Sequence, residues 1–391
     1  MNLPEHLEGV RTAAGKALEP ILPASDLTAA PKDLLFTAQR TEAGRQLPPY
    51  YLVYFLLVDL LGFRNLGQFE KLAWSVPIDY NGKAFLIEHR KFGLGIFVDN
   101  PEAYEAAALE IANRVQKAIK IARPYFEWRA KSAVNASKLN VTNHTDALNE
   151  RFNYFLSEYN AAIAEIRVVE NRKKEMTPEE RMSELDYFFS TPYTHTEKAT
   201  WLASSVIDAF FSFTEHVFIH LATLQGKIST GNEVASLAGA DWAQKYKSAF
   251  DLRDKEAKFF YDNLIEIRRQ HRNFVAHGSF GKQGEAFTFH SGAGAVPVLL
   301  PHIRGRQKFA LTGSLTMKDS DAIQTILRFM EFLWEYEREP ARIYLQRTKL
   351  PVILTMVTDG TYAKAMQSCK EMKSLVGQLE GELDRSINMD F

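Results

Sequence analysis

Arg272, Asn273 and His277 are the residues of this chain whose types and spacing best suit chemistry. They lie in the stretch Ile267-Arg268-Arg269-Gln270-His271-Arg272-Asn273-Phe274-Val275-Ala276-His277-Gly278. A histidine titrates near neutral pH and can take or give a proton. An arginine keeps its charge and can grip two oxygens of one phosphate. An asparagine adds a neutral donor and acceptor. This set fits a reaction at a phosphate ester, in which one group moves a proton and another stabilises charge. It supplies no metal-ligand set.

These residues close a helical pattern. Phe260, Leu264, Ile267, His271 and Phe274 share a core-facing side of a segment predicted over 241–276, with a break near Leu252. Gly278 stands where a helix stop would take the left-handed conformation. Asn273 and His277 are four apart and stack on one face. Arg272 lies ~100° round from Asn273 on a 3.6-residue helix, so one chain does not readily bring all three to one phosphate. A helix terminus explains the same residues in another way. A last-turn histidine complements the helix dipole, and Arg268, Arg269 and Arg272 would then be a solvated cationic end.

The pattern Arg272-Asn273-x-x-x-His277, with Ala-His-Gly at its end, resembles the Arg-x(4–6)-His motif of HEPN domains (higher eukaryote and prokaryote nucleotide-binding domains). The resemblance covers at most roughly residues 190–338 and implies a helical bundle there. Many members of that family are metal-independent ribonucleases that work as homodimers, in defence or toxin–antitoxin control. The resemblance implies that His277 is a general acid/base, that Arg272 holds the phosphate, and that Asn273 orients the phosphate or His277. RNA, a second copy of the chain and a regulatory protein are the partners it implies, and it implies no cofactor. Arg268 and Arg269 are candidate substrate contacts. So are Arg304 and Arg306, which with His302 and Lys308 make a basic loop or plain solvated surface. The alternative is a non-catalytic HEPN-like interaction or ligand-sensing protein.

Composition bounds these readings. The chain has 391 residues, of which 46% are hydrophobic and 24% charged, with 27 phenylalanines. That is ordinary for a globular protein with a large core. The net charge of −1 argues against a broad basic coat for nucleic acid, though not against a local basic patch. Cys369 is the one cysteine, which excludes an internal disulfide and a cysteine-based zinc site. The first residues carry no apolar signal-like run. Tyr50–Leu61 is too short to span a bilayer, and Trp201–Leu224 is interrupted by Asp208, Glu215, His216 and His220. Both are expected to be buried helices, in a cytoplasmic protein without a membrane partner. No P-loop and no GxGxxG is present.

The chain divides by pattern into four expected segments. Residues 1–125 read as a small α+β domain, 126–190 as a helical connector, 191–338 as the HEPN-like domain, and 339–391 as a helical tail. The expected class is mainly α. In the first segment, Tyr80-Asn81-Gly82-Lys83 signals a hairpin between strand-like runs. Asn100-Pro101 signals a helix start. Thr177-Pro178-Glu179-Glu180 signals another, and Thr194 or Thr196 is expected to cap a helix over 197–225. Strands are expected at Glu285–Ser291, Val296–Leu300 and Lys308–Thr312. A closing helix is expected over Ala322–Glu337, and Gln378–Phe391 reads as loosely ordered.

Two further constellations have residue types that can hold a metal. Asp79, Glu88 and Arg90 loosely resemble the Asp…Glu-x-Lys pattern of metal-dependent nucleases, with Arg90 in place of lysine; two carboxylates can hold Mg²⁺. Glu88 and Arg90 sharing a solvated strand face is the plainer expectation. His216 and His220 have a metal-ligand spacing but lack a visible third ligand, so ordinary polar or interfacial histidines are expected.

Overall fold

The computed structural model describes residues 3–177, 185–277, 285–299, 311 and 318–388; for 173, 185–194, 273–277, 285, 286, 297 and 299 it describes the backbone alone. The chain is mainly helical with a small antiparallel sheet. It forms two compact units, residues 1–136 with 377–391, and residues 137–376.

The first unit is built on a five-stranded antiparallel sheet in the order β1-β3-β4-β5-β2. The strands are β1 Ile21–Pro23, β2 Gln39–Arg40, β3 Leu72–Tyr80, β4 Lys83–Arg90 and β5 Gly93–Val98. Asn81 and Gly82, both with positive φ (53° and 82°), make the predicted two-residue turn between β3 and β4. The alternation of the strands sends Trp74, Val76, Ile78, Phe85, Ile87, Ile96 and Val98 to one face. There they meet helices α1 (Glu8–Leu18), α2 (Tyr50–Leu60) and α3 (Pro101–Ile121). Asn100 caps α3, its side chain accepting from the Ala103 N–H at 3.2 Å, with Pro101 in the first turn. The α3 helix stops at Ala122, and α4 (Arg123–Asn135) follows at once. The edge strands are short, and the Arg40 guanidinium takes up the carbonyls of Phe92 and Leu94 beside β2.

The second unit is a helical bundle: α5 (Thr145–Glu175), α6 (Leu185–Leu224), α7 (Gly231–Gly239), α8 (Trp242–Ala249), α9 (Lys255–His277), α10 (Asp319–Phe332) and α11 (Glu339–Arg347). Helix α5 runs antiparallel to α6. His144 meets His216, Phe152 meets Phe210, and Glu165 meets His195. The segment expected to be a connector therefore lies largely inside the bundle, because its apolar stripe (Phe152, Tyr159, Ala162, Val169) is buried. Helix α6 is already helical at Leu185, ahead of the expected caps Thr194 and Thr196.

Helix α6 ends as its sequence demands. Gly226 has φ +71°, the Gly226 N–H reaches Thr223 O, and the Lys227 N–H reaches Ala222 O. This closes the last carbonyls in a Schellman arrangement. Among the described residues α6 carries the one stretch, His195–Leu224, long and apolar enough to cross a membrane. Here it is the central helix of the bundle, with Phe210, Phe213, Val217, Phe218 and Leu221 fully buried.

The core of this unit is aromatic. Phe329 on α10 lies 5.8 Å from Phe210, 5.8 Å from Tyr246, 5.9 Å from Phe250 and 5.5 Å from Phe260, ring centre to ring centre. Trp242 keeps its indole N–H satisfied on Thr214 Oγ1 at 2.9 Å, and the Tyr246 hydroxyl donates to Ala257 O at 2.7 Å. Phe329→Ala empties the middle of this cluster. We expect it to cost ~3–5 kcal/mol in urea unfolding; a loss below ~1 kcal/mol would mean the cluster is not the bundle's core.

Helix α10 ends at Phe332, earlier than the expected Glu337. The reason lies downstream. The Arg338 guanidinium is buried and donates to Phe332 O (2.7 Å) and Leu333 O (3.2 Å), so a side chain closes the helix end. Two antiparallel strands, β7 (Glu285–Ser291) and β8 (Gly294–Leu299), form a hairpin after α9 where the first two of the three strands are expected. The third expected strand, Lys308–Thr312, and the helix start at Thr177–Glu180 fall largely outside the described residues. A two-stranded pairing of β6 (Asn140–Val141) with β9 (Val352–Ile353) closes the unit. The tail expected to be loosely ordered is helical, as α12 (Cys369–Asn388).

Candidate functional site

Helix α9 carries the motif. It starts at Lys255, beyond the break foreseen near Leu252, and its backbone stays helical through His277. Phe260, Leu264 and Ile267 are buried, as their spacing predicted. Against this side lies α6, antiparallel: Asp208 meets His271, and Glu215 meets Arg268.

Three pairs define the seam. Glu215 Oε1 accepts from Arg268 Nη2 at 2.8 Å, and its Oε2 accepts from Lys245 Nζ of α8 at 2.9 Å. The Arg268 guanidinium also sits 5.5 Å from the centre of the Phe211 ring. Lys245 is 7% exposed in its side chain, so Glu215 is the partner that makes its burial tolerable. His271 Nε2 lies 2.8 Å from Asp208 Oδ1, with the imidazole buried and the carboxylate exposed. On α9 itself, Arg269 is bonded to both oxygens of Glu266, at 2.7 and 2.8 Å.

The cations of the motif thus divide in two. Arg268 and Arg269, both expected as substrate contacts, are engaged by carboxylates of their own chain. Arg272 is exposed and makes no ion pair among the described residues. It lies five residues before His277, ~7.5 Å along the axis and ~140° round it. The side chains of Asn273 and His277, and the whole of Arg304 and Arg306, fall outside the described residues.

Glu215 and the Asp208–His271 pair were not identified as site neighbours from sequence. A signal was present. Asp208, Ser212 and Glu215 make a polar strip on an otherwise apolar helix, and acids where that helix meets a neighbour call for cations opposite them. Which cations those are depends on how α6 and α9 pack, and no local pattern states it.

The acidic constellation of the first unit does not converge. Asp79 lies opposite Ala84, and Glu88 opposite Ser75, so the two carboxylates are ~13 Å apart along the strands. Asp79 is occupied by Thr28 Oγ1 (2.7 Å) and the Gly82 N–H (2.8 Å). Glu88 is 1% exposed, accepts from Ser75 Oγ at 2.8 Å and is paired with Arg90 Nη2 at 2.6 Å. Arg90 in turn stacks on Phe97, 3.9 Å from the ring centre. Glu88 and Arg90 are therefore a built-in pair and not a solvated edge, and the geometry gives the metal-nuclease reading no site. Among the described residues no group of three His, Cys, Asp or Glu side chains is placed to hold a metal.

His216 and His220 are structural in placement. His216 Nε2 accepts from the His144 N–H at 2.9 Å, and His220 Nε2 lies 3.1 Å from Thr142 O. Desolvation, reinforced by the neighbouring His220 and His144, pushes the His216 imidazole down to about 3.

Comparison with protein-family models, with curated proteins and with solved structures finds no match to this chain.

Proposed function

We propose that the second unit is a HEPN-like domain that cleaves RNA without a metal, acting as a homodimer through the α9 termini. The observation that carries this reading is the exposed Arg272 in the last turns of α9, which has no carboxylate partner among the described residues, while Arg268 and Arg269 are neutralised. A phosphate-gripping arginine has to be available in this way.

In this mechanism His277 removes the proton from a 2′-hydroxyl. The O2′ attacks the adjacent phosphorus and the P–O5′ bond breaks, with a proton delivered to the leaving oxygen. The products are a 2′,3′-cyclic phosphate and a 5′-hydroxyl. Arg272 stabilises the charge on the non-bridging oxygens as it builds up. Asn273 orients the phosphate or His277. The separation of Arg272 and His277 around one helix favours a two-fold arrangement, in which each phosphate meets groups from two copies. Arg304 and Arg306 would extend the grip on the RNA chain. Regulation by a protein partner, a cytoplasmic setting and a role in defence or toxin–antitoxin control accompany this reading.

A second reading, a non-catalytic interaction module, draws on the net charge of −1 and on the neutralised Arg268 and Arg269. Two measurements test the first reading. Cleavage of RNA by the purified chain should survive excess EDTA; loss in EDTA with recovery in Mg²⁺ would require a metal site and would sink the mechanism. Light scattering at micromolar concentration should give twice the mass of the chain, and a monomer at every concentration tested would remove the two-fold arrangement.

A further inference from the structure

Three histidines meet where α6 passes the start of α5. The backbone N–H of His144, at the N-terminus of α5, donates to Nε2 of His216 at 2.9 Å. One turn further along α6, His220 is 1% exposed, with Nε2 3.1 Å from Thr142 O and Nδ1 2.9 Å from His216 O. In the tautomer protonated at Nε2, His220 donates to the Thr142 carbonyl. In that tautomer α6 holds the 142–144 segment by one imidazole that donates and one that accepts, with the unprotonated Nδ1 of His220 facing the His216 carbonyl. The rings stand 5.8 Å (His144 to His216) and 4.2 Å (His216 to His220) apart.

An imidazole nitrogen accepts a hydrogen bond only while it carries no proton. Protonating His216 at Nε2 would set an N–H against the His144 N–H. It would also put a cation at the positive end of the α5 dipole, beside two other histidines. The neighbouring charges offer no relief. On α6, Glu215 is committed to Lys245 and Arg268. On α11, Arg342 is bonded to Gln346, and β9 is Val352–Ile353. Asp146 stands in the first turn of α5, but the charges that act on His216 are those of His220 and His144.

We propose that this cluster is an acid-sensitive latch, in which protonation of His216 releases the first turn of α5 from α6. The direction of the His216 shift agrees with the geometry. Its value in the fold lies below the ordinary 6.5, so the latch is fully closed above about 6.5 and weakens as pH falls toward about 3. With an open-state value near 6.5, the open form gains roughly 30-fold between pH 7.5 and pH 5.

Hydrogen exchange on the full chain tests this. Amide protection over residues 142–150 at pH 7.5 and 5.0, corrected for the intrinsic pH dependence of exchange, is referenced to peptides from α3. We expect a relative loss of roughly 30-fold at pH 5. An unchanged ratio would overturn the latch. His216→Gln keeps an acceptor oxygen at similar reach but does not titrate, and its protection should be flat between the two pH values. Loss in this variant equal to that of the wild type would show that His216 is not the sensor. Should the glutamine variant fail to fold at pH 7.5, His216→Asn is read in the same way, and the wild-type comparison alone still decides whether a latch exists.

Discussion

His277→Ala should abolish RNA cleavage and leave the fold standing. A positioned general acid/base contributes ~10²–10⁴ in rate. A histidine in the last turn of a helix contributes at most ~2 kcal/mol to stability through the dipole. The two effects differ enough in size to be read separately, cleavage by single-turnover assay and folding by urea titration. If the alanine variant cuts RNA at the wild-type rate, the catalytic assignment fails and His277 is simply the residue that closes α9. If it unfolds, its role is structural.

The second large effect is at Arg272. Arg272→Ala should reduce cleavage by about the ~10²–10³ that follows loss of a group stabilising transition-state charge. Stability should change by less than ~0.5 kcal/mol, as expected for a surface residue that makes no ion pair among the described residues. Arg272→Lys should restore little, because an ammonium is a point charge and lacks the two-pronged contact. Arg268→Ala is the informative contrast. It leaves Glu215 with Lys245 alone and removes the guanidinium from beside Phe211, so its cost should appear in stability first. A lysine variant at Arg272 with full activity, or an Arg268 variant that loses cleavage at unchanged stability, would mean that the wrong cation has been assigned to the phosphate.

Much of the scaffold was legible because it is written in local chemistry. The Asn81-Gly82 turn, the Asn100-Pro101 helix start and the Gly226 helix stop each follow from the backbone preferences of a few residues. The buried line Phe260, Leu264 and Ile267 follows from helical period. What was not legible depends on distant partners. The end of α10 at Phe332 is set by Arg338 folding back on its carbonyls. Helix α5 joins the bundle because α6 covers its apolar stripe, and polar composition alone read it as a connector. The same holds for the site. The spacing of Arg272, Asn273 and His277 could be read directly, whereas the sorting of cations into spent and available needed Glu215, fifty-three residues from Arg268, to be placed in space. Glu88 gives the same lesson in the other unit: a carboxylate that looked available beside Arg90 is buried against Ser75 and that arginine.

The central claim is that the end of α9 cleaves RNA through the substrate's own 2′-hydroxyl. Its most direct test is to incubate the purified chain with RNA in EDTA and analyse the new ends, alongside the same strand made 2′-deoxy at the cleavage site. The account predicts 2′,3′-cyclic phosphate and 5′-hydroxyl ends from the RNA and no cutting of the deoxy strand. Ends bearing a 5′-phosphate, or equal cutting of the deoxy strand, would contradict it.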